Sequence, residues 1–164
     1  MSLERLWAGW RSSYIEGIET APKPGGCLFC GLLATADDAE ALILERAEHS
    51  FAVMNAYPYT SGHVMVAPVR HVASITDLDD DEGAALMHAT QRATAAVEGA
   101  YRPEGVNVGA NIGRAAGAGV PGHVHVHVLP RWNGDTNFMT AVAEARVLPE
   151  SLRYSYDKLR AAWG

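Results

Sequence analysis

The stretch His123-Val124-His125-Val126-His127-Val128-Leu129-Pro130-Arg131 alternates imidazole and aliphatic side chains over its first six residues. In an extended strand side chains point to opposite faces with period two, so the three imidazoles share one face and Val124, Val126 and Val128 the other. One face belongs to a core; the other is a row of imidazoles. Same-face neighbours on a strand lie about 6.6 Å apart and the outer pair about 13 Å, whereas a zinc–nitrogen bond is about 2 Å, so a compact metal site draws on an adjacent pair at most. A linear row is better suited to lining an extended anionic substrate. Imidazole serves as nucleophile, hydrogen-bond donor or proton shuttle near neutral pH, according to which ring nitrogen carries the proton.

The 164 residues fit a single domain spanning 1–164, and a hydrophobic fraction of 48% is enough for a real core. A formal charge of −6 disfavours a grip on nucleic-acid phosphates, so no nucleic-acid partner is expected and a nucleotide must be captured by local groups. No apolar run approaches a membrane-spanning length, and the start Met1-Ser2-Leu3-Glu4-Arg5-Leu6-Trp7 lacks the pattern of a signal peptide, so no membrane partner and a cytoplasmic location are expected. The pair in Cys27-Leu28-Phe29-Cys30 is too close for a loop-closing disulfide to achieve much, which leaves redox or metal chemistry. A thioredoxin-like role wants such a pair at a helix start after a strand. Here it follows Pro22-Lys23-Pro24-Gly25-Gly26, and zinc is the favoured reading.

Leu3, Leu6, Trp7, Trp10 and Tyr14 recur at helical spacing, which predicts a short N-terminal helix. Strands are expected near 41–46, 50–55 and 63–68, with turns at 47–49 and 57–62. Thr76 or Asp77 caps a long helix opened by Asp79, Asp80, Asp81 and Glu82 and running to about Tyr101; these acids read as a helix start rather than a magnesium site. Two more strands follow near 105–112 and 122–130, and a final helix runs from Pro149 through Leu152, Tyr156 and Leu159. The expected class is α+β: an antiparallel sheet with one long helix and flanking N- and C-terminal helices.

The run from His123 matches His-φ-His-φ-His-φ-φ, with φ apolar. Together with Asn55, Gly62-His63, Pro68-x-x-His71 and Asn111-x-Gly113 it resembles the histidine-triad (HIT) nucleotide hydrolases and transferases, over a core of about 27–137. Beyond the triad, Pro130-Arg131-Trp132-Asn133-Gly134-Asp135-x-Asn137-Phe138 and Arg146-Val147-Leu148-Pro149 are similar to the diadenosine tetraphosphate phosphorylase branch of actinobacteria. The resemblance implies a HIT-like fold, a homodimer, and catalysis through a nucleotidyl-histidine on His125, whose second nitrogen donates to the His123 carbonyl. His127 and His63 become candidates for phosphate contact and proton management, Asn111 for an amide at the phosphate, and Asn55 for a ribose contact.

The Gly117–Gly119 stretch offers backbone N–H groups that could cradle phosphate, a weak signal alone. Relatives often carry Gly-Gln-Ser/Thr or Gly-Gly-Ser there, where this chain has Gly117-Ala118-Gly119-Val120, a departure that bears on the leaving group and acceptor. Trp132 reads either as a base-stacking residue or as a packing residue. The resemblance completes the zinc set Cys27 and Cys30 with His71 and His123. The implied reaction is phosphorolysis of diadenosine tetraphosphate or a similar adenine dinucleoside polyphosphate, with inorganic phosphate as acceptor. Its alternatives are hydrolysis of such compounds or of nucleoside phosphoramidates, and a nucleotide-binding scaffold with little turnover. With no paired carboxylates near the triad, the chemical step is expected not to require magnesium. His49 and His88 are expected at the surface.

Overall fold

The computed structural model describes residues 26–135 and 148–164. The expected N-terminal helix at 3–14, and Asn137, Phe138, Arg146 and Val147, lie outside the described residues. Five strands, β1 (Ile43–Arg46), β2 (Ser50–Met54), β3 (Val64–Pro68), β4 (Gly105–Ala110) and β5 (Val126–Arg131), form one antiparallel sheet in the order β1-β2-β3-β5-β4. Helices α1 (Leu28–Ala34), α2 (Asp80–Tyr101) and α3 (Leu152–Ala162) accompany it, so the class is α+β.

Strands β2 and β3 are buried along their whole length because both faces of the sheet are covered there. Period-two alternation divides their side chains between two cores. Ala52, Met54, Val64 and Val66 join Val128 in a cluster with Leu86, Ala89, Ala93, Ala96 and Val97 of α2 and Tyr156 and Leu159 of α3. Phe51, Val53, Met65 and Ala67 face the other way and pack with Phe29 of α1. Full burial of a side chain such as Phe51 or Val66 contributes about 1.5–3 kcal/mol. The alanines of α2 let that helix lie close to the sheet.

The long helix starts where the acids are, but its cap is Asp79 rather than Thr76 or Asp77. Asp79 accepts from the Glu82 N–H and Glu82 accepts in return from the Asp79 N–H, closing a capping box, while Ser74 accepts from the Thr76 N–H one turn earlier. The C-terminal helix is capped by Ser151 and clamps β1, with the Tyr156 hydroxyl donating to the Ile43 carbonyl at 3.1 Å and Arg160 to that of Leu44. Strand β1 starts two residues later than expected because Leu42 sits at φ +57°, a left-handed backbone that breaks the extended run. The triad strand is paired only from Val126, and β4 ends at Ala110 rather than residue 112.

The register fixes the site. His127 lies opposite Met65 on one side and Gly109 on the other, so continuing the pairing brings Ala67 and Asn111 level with His125. The triad therefore occupies the α1 face, with β1 and β2 to one side and β4 to the other.

Candidate active site

Cys27, Phe29 and Cys30 come from the start of α1, a helix the sequence reading did not foresee. Cys27 is its N-cap, so the cysteine pair does stand at a helix start, contrary to expectation, yet its thiol makes no capping hydrogen bond. Instead Cys27 Sγ lies 3.4 Å from His123 Nδ1, Cys30 Sγ 3.8 Å from the same atom, and Cys30 Sγ 3.4 Å from His71 Nδ1. One ligand atom from each of the four residues falls within 4.8 Å of the others. A tetrahedron built on zinc bonds of about 2.3 Å to sulfur and 2.0–2.1 Å to nitrogen has sulfur–nitrogen edges of about 3.5 Å, which these separations fit. His123 Nε2 lies 2.8 Å from the Pro68 carbonyl, which accepts its proton and leaves Nδ1 with a lone pair toward the sulfurs. Only one triad histidine belongs to this group, in keeping with the strand spacing.

The triad is not an open row. His123 is fully buried and His125 is 3% exposed, because the Phe29 ring packs against both, with centroids at 5.2 and 4.8 Å. His125 Nδ1 lies 2.9 Å from the His123 carbonyl and donates to it, so the lone pair of His125 sits on Nε2. Burial holds this imidazole below its ordinary pKa and so keeps that lone pair unprotonated at neutral pH.

A second chain of contacts fixes the other pair. The Tyr59 backbone N–H, which can only donate, points at His63 Nδ1 from 3.2 Å, so the proton of neutral His63 is on Nε2. That nitrogen donates to His127 Nδ1 at 2.8 Å, which leaves His127 protonated on Nε2. The rings of His125 and His127 are 4.8 Å apart, and Tyr59 stacks on His127 at 5.8 Å. His63 owes its place to Gly62, at φ +81°, where a Cβ would lie 2.5 Å from the Tyr101 ring. The result is an unprotonated nitrogen beside an N–H donor, the equipment for nucleophilic attack with a hydrogen bond to the leaving oxygen.

A cleft of about 500 Å³ opens over these groups, a size suited to a small-molecule ligand. Leu28, Phe29, Leu32, Ala41, Leu42 and Met54 give it an apolar wall. Asn55, His125, His127, Gly117 and Gly119 line it as well. Asn55 Oδ1 accepts from the Tyr57 N–H and its Nδ2 lies 3.3 Å from His63 Nδ1, so it serves the local turn and the cleft together.

Two expected substrate contacts are not among the residues that line this cleft. Asn111 donates to the Gly117 carbonyl at 3.3 Å, which ties the glycine loop to the end of β4. Trp132 is outside the lining of this cleft and meets Tyr101 edge-on at 6.3 Å, so the packing alternative is the one its surroundings support. Asp135 is engaged by Arg131 through both carboxylate oxygens. His88 is exposed and His49 half-buried. Sequence reasoning missed Phe29, Tyr59 and the Pro68 carbonyl; the Tyr59 N–H and the Pro68 carbonyl are main-chain groups, which leave no residue-type signal.

The HIT domain family model matches residues 37–134. An AP-4-A phosphorylase of Mycobacterium tuberculosis is 39% identical over 165 residues, covering 98% of this chain and 85% of that protein. The crystal structure of a Zn-bound histidine triad family protein from Mycobacterium smegmatis superimposes with a TM-score of 0.67 at 31% identity, over 84% of this chain and 92% of that one. That of a hypothetical histidine triad nucleotide-binding protein from Sulfolobus tokodaii gives 0.66 at 27% identity, over 83% and 91%.

Proposed function

The chain belongs to the HIT family, and from that premise we propose that it transfers a nucleotidyl group through His125, cleaving diadenosine tetraphosphate or a similar dinucleoside polyphosphate with inorganic phosphate as acceptor. The observation that carries this reading is the pair of fixed tautomers. His125 Nε2 attacks the α-phosphorus, the bond to the bridging oxygen breaks, and the oligophosphate departs as its anion while His127 Nε2–H, held in that tautomer by His63, donates a hydrogen bond to the departing oxygen. In the second displacement an oxygen of inorganic phosphate attacks the same phosphorus, the P–N bond to His125 breaks with its electron pair returning to Nε2, and the proton of hydrogen phosphate leaves with the new product. With diadenosine tetraphosphate the products are ATP and ADP. The nucleoside sits against the apolar wall with its ribose at Asn55, and the backbone of Gly117 and Gly119 faces the phosphates. Similarity to the mycobacterial phosphorylase supports phosphate as the acceptor.

Zinc is the metal assigned to Cys27, Cys30, His71 and His123, since two thiolates and two imidazoles suit its tetrahedral preference. When bound it cross-links α1 to the segment entering β5 and so holds Phe29 over His125. Glu40 is the only carboxylate among the described residues lining the cleft, so transfer proceeds without a protein-held magnesium ion. A homodimer is assigned through β4, one of the two edge strands, which is exposed along most of its length and carries Val108 at 52% exposure. No helix among the described residues is long and apolar enough to cross a membrane, in keeping with a cytoplasmic enzyme. Product analysis from diadenosine tetraphosphate tests the reading. Phosphate-dependent ADP supports it, AMP alone signals hydrolysis, and binding without turnover signals a scaffold.

A further inference from the structure

The strand order gives the cleft two sides. Ala41 and Leu42 precede β1, Met54 ends β2 with Asn55 just after it, and in the middle His63 stands just ahead of β3 and His127 on β5. The loop that leaves β4 and returns to His123 closes the far side, and it carries Arg114. With strands about 4.8 Å apart, β2 and β4 are about 14 Å apart across the histidines, roughly the reach of a nucleotide from base to phosphate chain. Among the described residues that line the cleft, Arg114 is the only arginine or lysine.

An oligophosphate entering a chain of net charge −6 must find positive charge locally. His125 turns a bare Nε2 to the cleft and His127 a single N–H, so neither supplies a fixed cation. A guanidinium is charged at every relevant pH and its planar fork matches two phosphate oxygens. The chemistry places it further. Both displacements occur in line at one phosphorus with His125 Nε2 at one apex, so the acceptor must enter from the position the leaving group vacated. That position faces away from His125, and with the nucleoside on the apolar wall the remaining phosphates extend toward the β4 side.

We propose that Arg114 is the acceptor-binding cation of this cleft: it holds the departing oligophosphate in the first displacement and inorganic phosphate in the second. This rests on the phosphorolysis reading and adds to it the group that favours phosphate over water. A phosphate P–O bond forms at the α-phosphorus, the P–N bond breaks with its electron pair returning to His125 Nε2, and the proton of hydrogen phosphate leaves with the ADP. Arg114 changes no bond itself.

The test is Arg114→Gln and Arg114→Lys in the full-length protein, with diadenosine tetraphosphate and varied inorganic phosphate, reading the KM for phosphate and the ratio of ADP to AMP. Charged hydrogen bonds to phosphate support a rise in that KM of about tenfold or more in Arg114→Gln. The ADP share should fall, Arg114→Lys should be intermediate, and the KM for the dinucleotide should move less because the apolar wall is untouched. Thermal melting of both variants checks that the fold is kept. Wild-type ADP formation with an unaltered phosphate KM and product ratio in Arg114→Gln overturns the assignment while leaving phosphorolysis standing. Wild-type protein that yields AMP alone overturns both.

Discussion

Two histidines two residues apart on one strand, His123 and His125, are wired in opposite senses. His123 gives its Nε2 proton to the Pro68 carbonyl and turns Nδ1 toward two thiols; His125 gives its Nδ1 proton to the His123 carbonyl and turns Nε2 to the cleft. Side-chain type, strand and face are shared, and even Phe29 packs on both. The difference lies in which carbonyl oxygen is within reach of which nitrogen. A main-chain acceptor thus decides whether an imidazole holds the structure together or attacks phosphorus, and a histidine repeat can supply both from one strand.

Removing one member of each group separates them. His125→Ala should lower turnover by on the order of 10⁴-fold or more, as for other catalytic nucleophiles. Because the ring is buried beneath Phe29 rather than standing on an open face, the melting temperature should also drop by several degrees, measurable by calorimetry. His63→Leu keeps the nucleophile but removes the donor that sets the His127 tautomer. Its expected cost is about 10²-fold in kcat with a small change in KM, checked by steady-state kinetics. Cys27→Ser should act on the other side of the comparison: loss of bound zinc by metal analysis and a lower melting temperature, with turnover falling by about tenfold or less through a loosened Phe29. Turnover lost as completely as in His125→Ala would break the division of labour.

The smallest effect concerns the mooring of His71. The neighbouring Arg70 forks onto Glu82 with both nitrogen–oxygen contacts at 2.5–2.6 Å and also reaches the Asp77 carbonyl, which fixes the segment after β3 to the start of α2. The Arg70 guanidinium, followed by the Asp79 N–H, holds the Glu82 carboxyl down at about 2, against an ordinary value of 4.5. Its stabilising contribution is therefore present above pH 4.5 and lost as pH falls toward 2. Glu82→Gln should be less stable than wild type at neutral pH, and the gap should close on acidification through that window in denaturant titrations.

How much of this was legible in sequence follows from where the determinants lie. Period two located the triad face, the turns at 47–49 and 57–62 delimited the strands β2 and β3, and the acidic run located the start of α2. The short helix α1 was not visible: seven residues with Gly31 inside, no acid in its first turn and a cysteine cap without a capping bond give no start signal. Its absence made the triad look open, when Phe29 covers it. Asn111 and Trp132 have residue types that suit a ligand, but register and loop closure place one on Gly117 and the other on Tyr101. The tautomers were beyond reach wherever a main-chain group of a distant turn sets them, as Pro68 and Tyr59 do here.

The most direct test of the opposite wiring is a rapid-quench experiment on the wild-type protein with a dinucleoside polyphosphate labelled at the α-phosphate, followed by peptide mapping. The account predicts acid-labile label on His125 that appears before product is released and is absent from His123 and His127. Turnover with no protein-bound label, or label on His127 in place of His125, would contradict it.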